Sequence, residues 1–398
     1  MPSPATQTKK NIENAPALRW LANPRLTGLR CLHCAHTQPL SLQHAGCPVC
    51  AKSGLYVSLA AAYTDDKARV VQAASGYAWA AHLPYVQGVS LGEGNTPLTL
   101  QPALARLADV ACLGIKDESR NPTGSHKDRM SAVGATQALA FGAHTMVLAS
   151  SGNAAVSAAY YAKAAGLACE VATYDGMPAA YVAQLDAYNA RRFMFDDNAG
   201  RWRFVRDRAA LPGYFALTNH HLPALGSAPL AIEGYKNIAF ECLADGYVPG
   251  HIMVPTARGD LAWGIYAGFA DLLAAKQIKV LPKLWIVEPF ARLSQVMAGA
   301  PLHGSYAGNT AQFSTAGATV TYLQWQAAQR SGGGAVVVPD AQARQARETL
   351  RQHGINPELC AAAGFAAVQL LRAEGRIDAD ARVLCLVTAN ASKDPSAA

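Results

Sequence analysis

The stretch that decides the fold is Asn121-Pro-Thr-Gly-Ser-His-Lys-Asp-Arg129, a polar turn that runs into the small residues of Met130 to Ala140. We expect a helix to begin here, with Lys127 just inside its first turn. The helix dipole disfavours a cation at this position. The amine is therefore held nearer its neutral, nucleophilic form, which Schiff-base chemistry requires. The alternative is an ordinary solvated lysine without a chemical role.

Two further turns between a strand and a helix carry unusual polar residues. Ser150-Ser-Gly-Asn-Ala-Ala155 follows the strand-like run Thr145–Ala149, and Pro255-Thr-Ala-Arg-Gly-Asp-Leu261 follows another such run. A helix that begins at such a turn exposes free backbone amides, which can hold a carboxylate or a phosphate. The alternatives are an ordinary serine cap in the first turn and a simple capped turn with Asp260 as N-cap in the second.

The body of the chain alternates between apolar strand-like runs and longer helical patterns. Strands are expected at Ala168–Thr173, Leu284–Glu288 and Arg382–Thr388, and helices at Tyr181–Ala190 and Leu261–Ala274. This alternation predicts an α/β architecture with mainly parallel sheets. Parallel sheets bind ligands beyond the carboxyl ends of their strands. The strand-to-helix turns are therefore the expected place for a functional site.

Composition narrows the class of protein. The chain has 398 residues, of which 51% are hydrophobic and 15% charged, as is typical of a globular protein. The net charge is +7 without any run of five Lys or Arg, so we expect no nucleic-acid partner. No apolar run is long enough to span a bilayer, and Met1 to Asn14 lack the apolar stretch of a signal peptide. We therefore expect a cytoplasmic protein without a membrane partner.

Four cysteines near the start form two closely spaced pairs, Cys31-Leu-His-Cys34 and Cys47-Pro-Val-Cys50. Two Cys-x-x-Cys pairs separated by about a dozen residues are typical of a tetrahedral zinc site of the ribbon kind. Four thiolates fill the coordination shell, so the metal would be structural. Disulfides are the rival interpretation, and a nucleic-acid-binding ribbon is another.

The three polar turns, in this order, resemble the threonine synthase branch of the pyridoxal-phosphate (PLP) enzymes that share the tryptophan synthase β-subunit fold. Gly92-Glu-Gly-Asn-Thr-Pro-Leu98 is similar to the loop that precedes the lysine motif in that family. Val387-Thr-Ala-Asn-Ala-Ser-Lys-Asp-Pro395 looks like the end of its final strand. The resemblance extends from about Cys31 to Pro395. Some threonine synthases also carry a similar N-terminal knuckle.

This resemblance implies an α/β fold with two parallel-sheet, three-layer domains and an N-terminal zinc-ribbon-like module. We expect a flexible arm at 1–25, the zinc-ribbon-like module at 26–58, a large PLP domain at 59–138 and 220–398, and a small α/β domain at 139–219. We also expect a homodimer.

The resemblance also implies roles for individual residues. Lys127 would hold PLP as a Schiff base and later move the Cα proton, and Asn153 would bind the phenolic oxygen of the ring. Thr388 would face the pyridine nitrogen, where a neutral hydroxyl cannot protonate it as a carboxylate would. The cofactor phosphate would lie on the amides of Ala257, Arg258, Gly259, Asp260 and Leu261. The implied substrate-binding residues are His126, Ser150, Ser151 and Gly152.

The sequence departs from the family pattern at several of these positions. His126 stands where threonine synthases usually have phenylalanine, and it is closer to the tryptophan synthase β-subunit. Ala154 replaces a hydroxyl residue that would help to bind a substrate phosphate. Asp260 would repel the cofactor phosphate unless its side chain turns away, and Arg258 could offset that repulsion with a bidentate contact.

These observations predict a PLP-dependent enzyme that catalyses replacement or elimination on an amino acid with a leaving group such as phosphate. One alternative is a β-replacement synthase that uses an activated serine, such as O-phosphoserine, and an external nucleophile. Alternatives of another class are a catalytically silent PLP-binding protein and a zinc-ribbon interaction protein.

Overall fold

The computed structural model describes residues 20–42, 45–64 and 80–393. The strands in these ranges are β1 (Leu21–Ala22), β2 (Leu26–Cys31), β3 (Thr37–Gln38), β4 (Leu59–Tyr63), β5 (Tyr85–Gln87), β6 (Leu98–Leu100), β7 (Cys112–Asp117), β8 (Thr145–Ala149), β9 (Ala168–Thr173), β10 (Arg191–Met194), β11 (Tyr214–Ala216), β12 (His251–Pro255), β13 (Lys283–Glu288), β14 (Gly334–Val337) and β15 (Arg382–Val387). The predicted α/β architecture with mainly parallel sheets is confirmed.

The α-helices in the same ranges are α1 (Pro48–Ala51), α2 (Pro102–Leu107), α3 (Lys127–Ala140), α4 (Asn153–Ala164), α5 (Ala179–Ala187), α6 (Asn198–Ala209), α7 (Pro229–Ile232), α8 (Asn237–Ala244), α9 (Asp260–Ala274), α10 (Leu293–Met297), α11 (Tyr322–Arg330), α12 (Asp340–Gln352) and α13 (Leu359–Ala373). None of the described helices combines the length and apolarity needed to cross a membrane.

The larger sheet has six strands in the order β14-β13-β12-β15-β7-β6. All neighbours run parallel except β6, which pairs antiparallel with β7. Strands β12 and β15 are adjacent, with His251 opposite Val383, so their carboxyl ends lie at the same edge of the sheet. This pairing places the turn that follows Pro255 near Thr388, where a parallel sheet binds its ligand.

The smaller sheet has four parallel strands in the order β10-β9-β8-β11. Its strand β8 lies inside the sheet, so the polar turn that begins at Ser150 emerges from its carboxyl edge. All four strands fall within residues 139–219, the range expected for a small domain. The division of the chain into two domains stays a prediction.

The N-terminal part forms an antiparallel sheet in the order β3-β2-β4. This sheet continues to Tyr63, past the predicted module boundary at residue 58. Residues 1–19 of the expected arm lie outside the described residues. The rest of that arm is not loose, because β1 pairs with β5 and Asn23 Nδ2 donates a hydrogen bond of 2.8 Å to Leu83 O.

Helix α3 begins at Lys127 and passes through the interior of the protein. Its residues from Asp128 to Ala138 are all buried. Most of them are small, so α4 and α7 can approach its backbone closely. A Cβ atom on Gly134, for example, would lie 2.5 Å from Leu217 Cδ1. The small-residue run that follows the lysine is therefore a packing requirement of a helix that is surrounded by other elements.

A buried ionic network fixes the start of this helix. Arg129 is 2% exposed, and its guanidinium donates to Glu118 Oε2 at 2.6 Å and to Glu241 Oε1 at 2.7 Å. Lys116 Nζ lies 2.8 Å from Glu241 Oε2. Burial alone would raise the pKa of Glu118 and Glu241, but Arg129 holds the pKa of both carboxyls below the usual value. The network joins α3 to β7 and α8.

We predict that Arg129→Met lowers the free energy of unfolding by about 3–5 kcal/mol, because the buried Glu118 loses its cation and Glu241 keeps only Lys116. Arg120→Met is the matched control. Its side chain is 71% exposed and pairs with Asp117, so the cost should stay below about 1 kcal/mol. Urea unfolding of both variants measures the difference. Equal losses would contradict this account of the network.

Candidate active site

A cavity of about 580 Å³ is lined by the start of α3 and by the turns that follow β8, β12 and β15. The structure thus brings together the three polar turns and the end of the final strand. The predicted site residues that line this cavity are His126, Lys127, Ser150, Ser151, Gly152, Asn153, Ala257, Arg258, Asp260 and Thr388. The predicted residues Gly259 and Leu261 do not line it.

Lys127 is the first residue of α3, and its Nζ lies 5.9 Å from the centre of the Tyr235 ring. Burial lowers the pKa of Lys127 below the usual lysine value, although the carboxylates of Asp260 and Glu358 raise it in part. A lower pKa increases the neutral fraction of the amine. A neutral amine is the form that attacks a carbonyl carbon, so this lysine is suited to Schiff-base formation.

His126 is fastened to the end of the final strand. Its backbone N–H and its ring Nδ1 each lie 3.0 Å from Thr388 O. A carbonyl oxygen only accepts hydrogen bonds, so Nδ1 carries the ring proton. Burial lowers the pKa of His126 well below the usual histidine value, and the positive charge of Lys127 acts in the same direction. The ring is therefore neutral, with Nε2 as an unprotonated base.

The turn after β8 is shaped by a serine hydroxyl. Ser150 Oγ accepts hydrogen bonds from the backbone amides of Gly152 at 3.3 Å and Ala155 at 3.2 Å. The hydroxyl proton of Ser150 is left to donate elsewhere. Asn153 begins α4 and is 6% exposed. Its Nδ2 lies 3.2 Å from Glu358 Oε2, whereas its Oδ1 is buried and has no hydrogen-bond partner.

The loop Thr256–Asp260, called the phosphate loop here, turns into α9 through a left-handed residue. Gly259 is the N-cap at φ +86°, so the alternative that made Asp260 the cap is wrong. A Cβ atom on Gly259 would lie 2.3 Å from Gln324 Cβ, so only glycine fits. The Gly259 amide donates to Thr256 Oγ1 at 3.2 Å within the turn, and this amide is not among the groups that face the cavity.

The carboxylate of Asp260 lines the cavity and is held by Ser227. It accepts hydrogen bonds from Ser227 N at 3.1 Å and Ser227 Oγ at 2.6 Å. The repulsion that the sequence suggested between Asp260 and a bound phosphate is thereby reduced, because two donors satisfy the carboxylate. Arg258 reaches the cavity and lies 5.0 Å from the centre of the Trp202 ring.

A second arginine in the cavity was missed at the sequence level. Arg201, on α6, donates from Nη2 to Tyr174 OH at 2.5 Å and to Asn198 Oδ1, and its guanidinium lies 3.7 Å from the centre of the Tyr174 ring. Burial lowers the pKa of Arg201, as does the positive charge of Arg258. The two arginines therefore form a desolvated positive region in the cavity, where an anion would be stabilised.

A buried carboxylate was also missed. Glu358 precedes α13, is 2% exposed and lines the cavity. Its Oε1 lies 3.4 Å from Thr388 Oγ1, and its Oε2 lies 3.2 Å from Asn153 Nδ2 and 3.5 Å from Ser314 Oγ. In the sequence, only its position as an acidic residue just before a helix could have drawn attention to it.

The residues present fit a PLP molecule. A cofactor of this kind requires an amine, a partner for its phenolic oxygen, a partner for its ring nitrogen and donors for its phosphate. Lys127, Asn153, Thr388 and the phosphate loop lie around one cavity and would supply these groups. Buried polar atoms that lack a partner, Asn153 Oδ1 and Arg258 Nε, are further sign of a site that is completed by a ligand.

The cysteine knuckle, comprising Cys31–Cys34 and Cys47–Cys50, has the geometry of a four-thiolate metal site. All four sulfur atoms lie within 4.8 Å of one another. The sulfur atoms of Cys31 and Cys50 are 3.7 Å apart, and those of Cys34 and Cys47 are 3.6 Å apart. Ligands at about 2.3 Å from a tetrahedral zinc are separated by about 3.8 Å. The cysteines are unpaired, which argues against the disulfide alternative.

Solved structures with the same fold include two enzymes of amino acids. Diaminopropionate ammonia lyase from Escherichia coli, in complex with D-serine, superimposes with a TM-score of 0.65 at 19% identity and covers 77% of this chain and 87% of its own. A pyridoxal 5'-phosphate-dependent aspartate racemase superimposes with a TM-score of 0.64 at 19% identity. The match covers 76% of this chain and 92% of the racemase chain. At this level of identity the likeness shows the fold alone.

Sequence comparison is more specific. The family described as "Pyridoxal-phosphate dependent enzyme" matches residues 89–389. The threonine synthase of Methanocaldococcus jannaschii is 31% identical over 328 residues, which is 78% of each chain. That of Methanosarcina acetivorans is 32% identical over 322 residues, which is 77% of each chain. The chain therefore belongs to the pyridoxal-phosphate-dependent enzymes, in their threonine synthase-like branch, and is a lyase or synthase of that family.

Proposed function

We propose that this enzyme catalyses replacement or elimination on an amino acid whose leaving group is phosphate or a similar anion. The observation that carries the proposal is the presence of Arg201 in the same cavity as Arg258. One arginine is enough to support the phosphate of the cofactor at the phosphate loop. A second, desolvated arginine would hold another anion, and threonine synthases are among the relatives of this chain. Arg201 would hold the leaving group.

When bound, PLP supplies an electron sink for a negative charge that develops at the substrate Cα. The chain supplies the proton transfer and the orientation. Lys127 lines the cavity and its pKa is lowered, so its amine would take the Cα proton of a bound substrate. The turn Ser150–Gly152 would hold the substrate carboxylate, because a carboxylate can accept the hydrogen bond that the Ser150 hydroxyl has left to donate.

Glu358 would determine how Thr388 contacts the pyridine nitrogen. Thr388 has one hydroxyl proton, and Glu358 Oε1 at 3.4 Å is positioned to accept it. The threonine oxygen would then offer only lone pairs to the ring and could accept a hydrogen from a protonated nitrogen. This differs from the expectation that an isolated hydroxyl leaves the ring unprotonated. A nearby carboxylate would therefore strengthen the electron sink.

The alternative of β-replacement with an activated serine is supported by His126. Its Nε2 is an unprotonated nitrogen on a ring that lines the cavity. Such a base could remove a proton from an external nucleophile as it attacks. Turnover of O-phospho-L-serine with an added thiol, compared with turnover of O-phospho-L-homoserine in water, distinguishes the two reactions.

We also propose that the cysteine knuckle holds one structural zinc ion. Its four sulfur atoms have the mutual distances that a tetrahedral site requires. The expected homodimer and the cytoplasmic location stay predictions.

Replacing Lys127 tests the proposed covalent attachment. We predict that Lys127→Ala lowers turnover by at least about a thousandfold, since both the attachment point and the base are lost. The visible absorbance of the bound cofactor should also be lost, while the melting temperature stays near that of the parent. Lys279→Ala, at an exposed lysine, is the control and should behave as the parent does. Turnover of Lys127→Ala at the parental rate would refute the assignment.

Replacing the two arginines separates substrate from cofactor. We predict that Arg201→Met raises KM for O-phospho-L-homoserine by about tenfold or more, because a charge-assisted contact is worth about 1.5–3 kcal/mol. Its affinity for PLP should change by less than about threefold. Arg258→Met should instead weaken PLP binding by about tenfold or more.

The control for these variants is Arg206→Met on the same helix as Arg201. Its side chain is 57% exposed and pairs with Asp207, so both constants should remain at parental values. Steady-state kinetics and PLP titration of the cofactor-free protein give the two constants. An Arg201→Met enzyme with the parental KM would remove the support for an anionic leaving group.

Replacing Glu358 tests the electronic role of the carboxylate. Glu358→Gln keeps the size and the hydrogen-bonding reach of the side chain but removes its charge. We predict that the pKa of the bound cofactor, followed by its visible absorbance, falls. The reason is that a protonated ring nitrogen loses the negative charge that stabilises it. Glu348→Gln, at an exposed position on α12, is the control. Identical absorbance–pH profiles for Glu358→Gln and the parent would contradict this role.

A further inference from the structure

The cysteine knuckle lies against two segments that hold the phosphate loop. The first contact is with helix α11. His33 Nδ1 is 3.0 Å from Tyr322 OH, and Arg330 Nη2 donates to Leu32 O at 2.7 Å. Leu32 and His33 are the two residues between the ligands Cys31 and Cys34. A metal ion that fixes these cysteines would therefore fix the backbone to which α11 is attached.

The start of α11 contacts the phosphate loop directly. Thr321, the N-cap of α11, donates from Oγ1 to Arg258 O at 2.5 Å and accepts from Gln324 N at 3.2 Å. The backbone of Gly259 packs against Gln324 so closely that no side chain would fit between them. A helix is stiff along its axis, so a shift at Arg330 or Tyr322 would be transmitted to Arg258 and Gly259.

A second connection runs through the segment Leu225–Ser227. Ser58, which follows the knuckle, donates from Oγ to Leu225 O. The backbone at Gly46 packs so closely on Leu225 that a Cβ atom there would lie 3.0 Å from each of its methyl carbons. Two residues further on, Ser227 donates twice to the Asp260 carboxylate. This connection also ends at the phosphate loop, on the Asp260 carboxylate, whose charge Ser227 helps to satisfy.

We propose that the metal-loaded cysteine knuckle positions the phosphate loop, so that affinity for PLP depends on metal at the four cysteines. The inference rests on the proposed roles of the phosphate loop and the knuckle. The loop contains a single glycine, whose amide is already used within the turn, and so it relies on contacts from outside to hold its remaining donors in place. His33, Tyr322 and Arg330 are then positioning residues, and coupling between the two ligands must be reciprocal.

The test is PLP titration of cofactor-free protein, with zinc bound and after zinc removal by a chelator. The parent is compared with the double variant Tyr322→Phe/Arg330→Met, which cuts the contact with α11 but leaves all four cysteines. We expect zinc removal to weaken PLP binding by about tenfold in the parent. We expect the zinc-loaded variant to bind PLP more weakly than the parent. Zinc removal should then weaken PLP binding by a smaller factor in the variant than in the parent, because only the connection through Leu225–Ser227 remains.

The control variant is Lys52→Met, which removes a long exposed cation from the knuckle without touching α11. It should respond to zinc removal as the parent does. Melting temperatures are measured alongside, because a purely structural role would lower them without changing the response of PLP affinity to zinc. The single variant Tyr322→Phe replaces the double variant if the latter unfolds.

Three results would overturn the inference. They are a parent that takes up no zinc, a PLP dissociation constant that is the same with and without zinc, and equal losses on zinc removal in the parent and in the double variant. A zinc-loaded parent without any affinity for PLP would instead contradict the proposed cofactor site itself. The two failures are therefore distinguishable in one set of titrations.

Discussion

The lysine turn is held at the edge of the larger sheet by backbone hydrogen bonds to the residues that follow β15. His126 N donates to Thr388 O at 3.0 Å, Asn390 N donates to Gly124 O at 3.3 Å, and Ser125 forms an isolated bridge with Ala389. Backbone bonds of this kind do not depend on side-chain rotamers. They fix the position of Lys127 relative to Thr388 before any ligand binds, and the rest of the cavity is arranged around these two residues.

Lys127 and Arg129 are two residues apart on one helix, yet their surroundings differ. Arg129 faces two carboxylates within 2.7 Å and is held charged, whereas Lys127 faces the cavity without a carboxylate at such a distance. The ion pairs of Arg129 anchor the helix, whereas the amine of Lys127 is available to react in the cavity. The residue that stabilises the helix and the residue with the reactive amine are thus only two positions apart. The arginine network, not the lysine, holds α3 in place.

Much of this could be predicted from the sequence because the information is local. The strand-to-helix turns, the start of α3 at Lys127 and the paired cysteines each follow from a short run of residues. Strand β9 has the predicted bounds, and the predicted strand at Leu284–Glu288 begins one residue earlier, at Lys283. The hydrogen bonds of the Asp260 carboxylate could not be predicted, because their donor is Ser227, which is distant in the sequence.

Arg201 and Glu358 could not be predicted for the same reason. Neither lies in a turn with a recognisable pattern, and each enters the cavity only because α6 and α13 pack beside it. The proposed zinc dependence is also a tertiary effect, since it arises where α11 lies between the cysteine knuckle and the phosphate loop. Sequence patterns predicted the two sites separately, whereas the contacts that connect them appear only in the folded chain.

The central claim is that the strand-end turns assemble a PLP site around Lys127. Borohydride reduction of the PLP-loaded protein, followed by peptide mass spectrometry, locates the covalently modified residue. The account predicts a reduced pyridoxyl adduct on the peptide that contains Lys127, at one per chain. An adduct on another lysine, for example the buried Lys393, or no adduct at all in a protein with bound PLP, would contradict it.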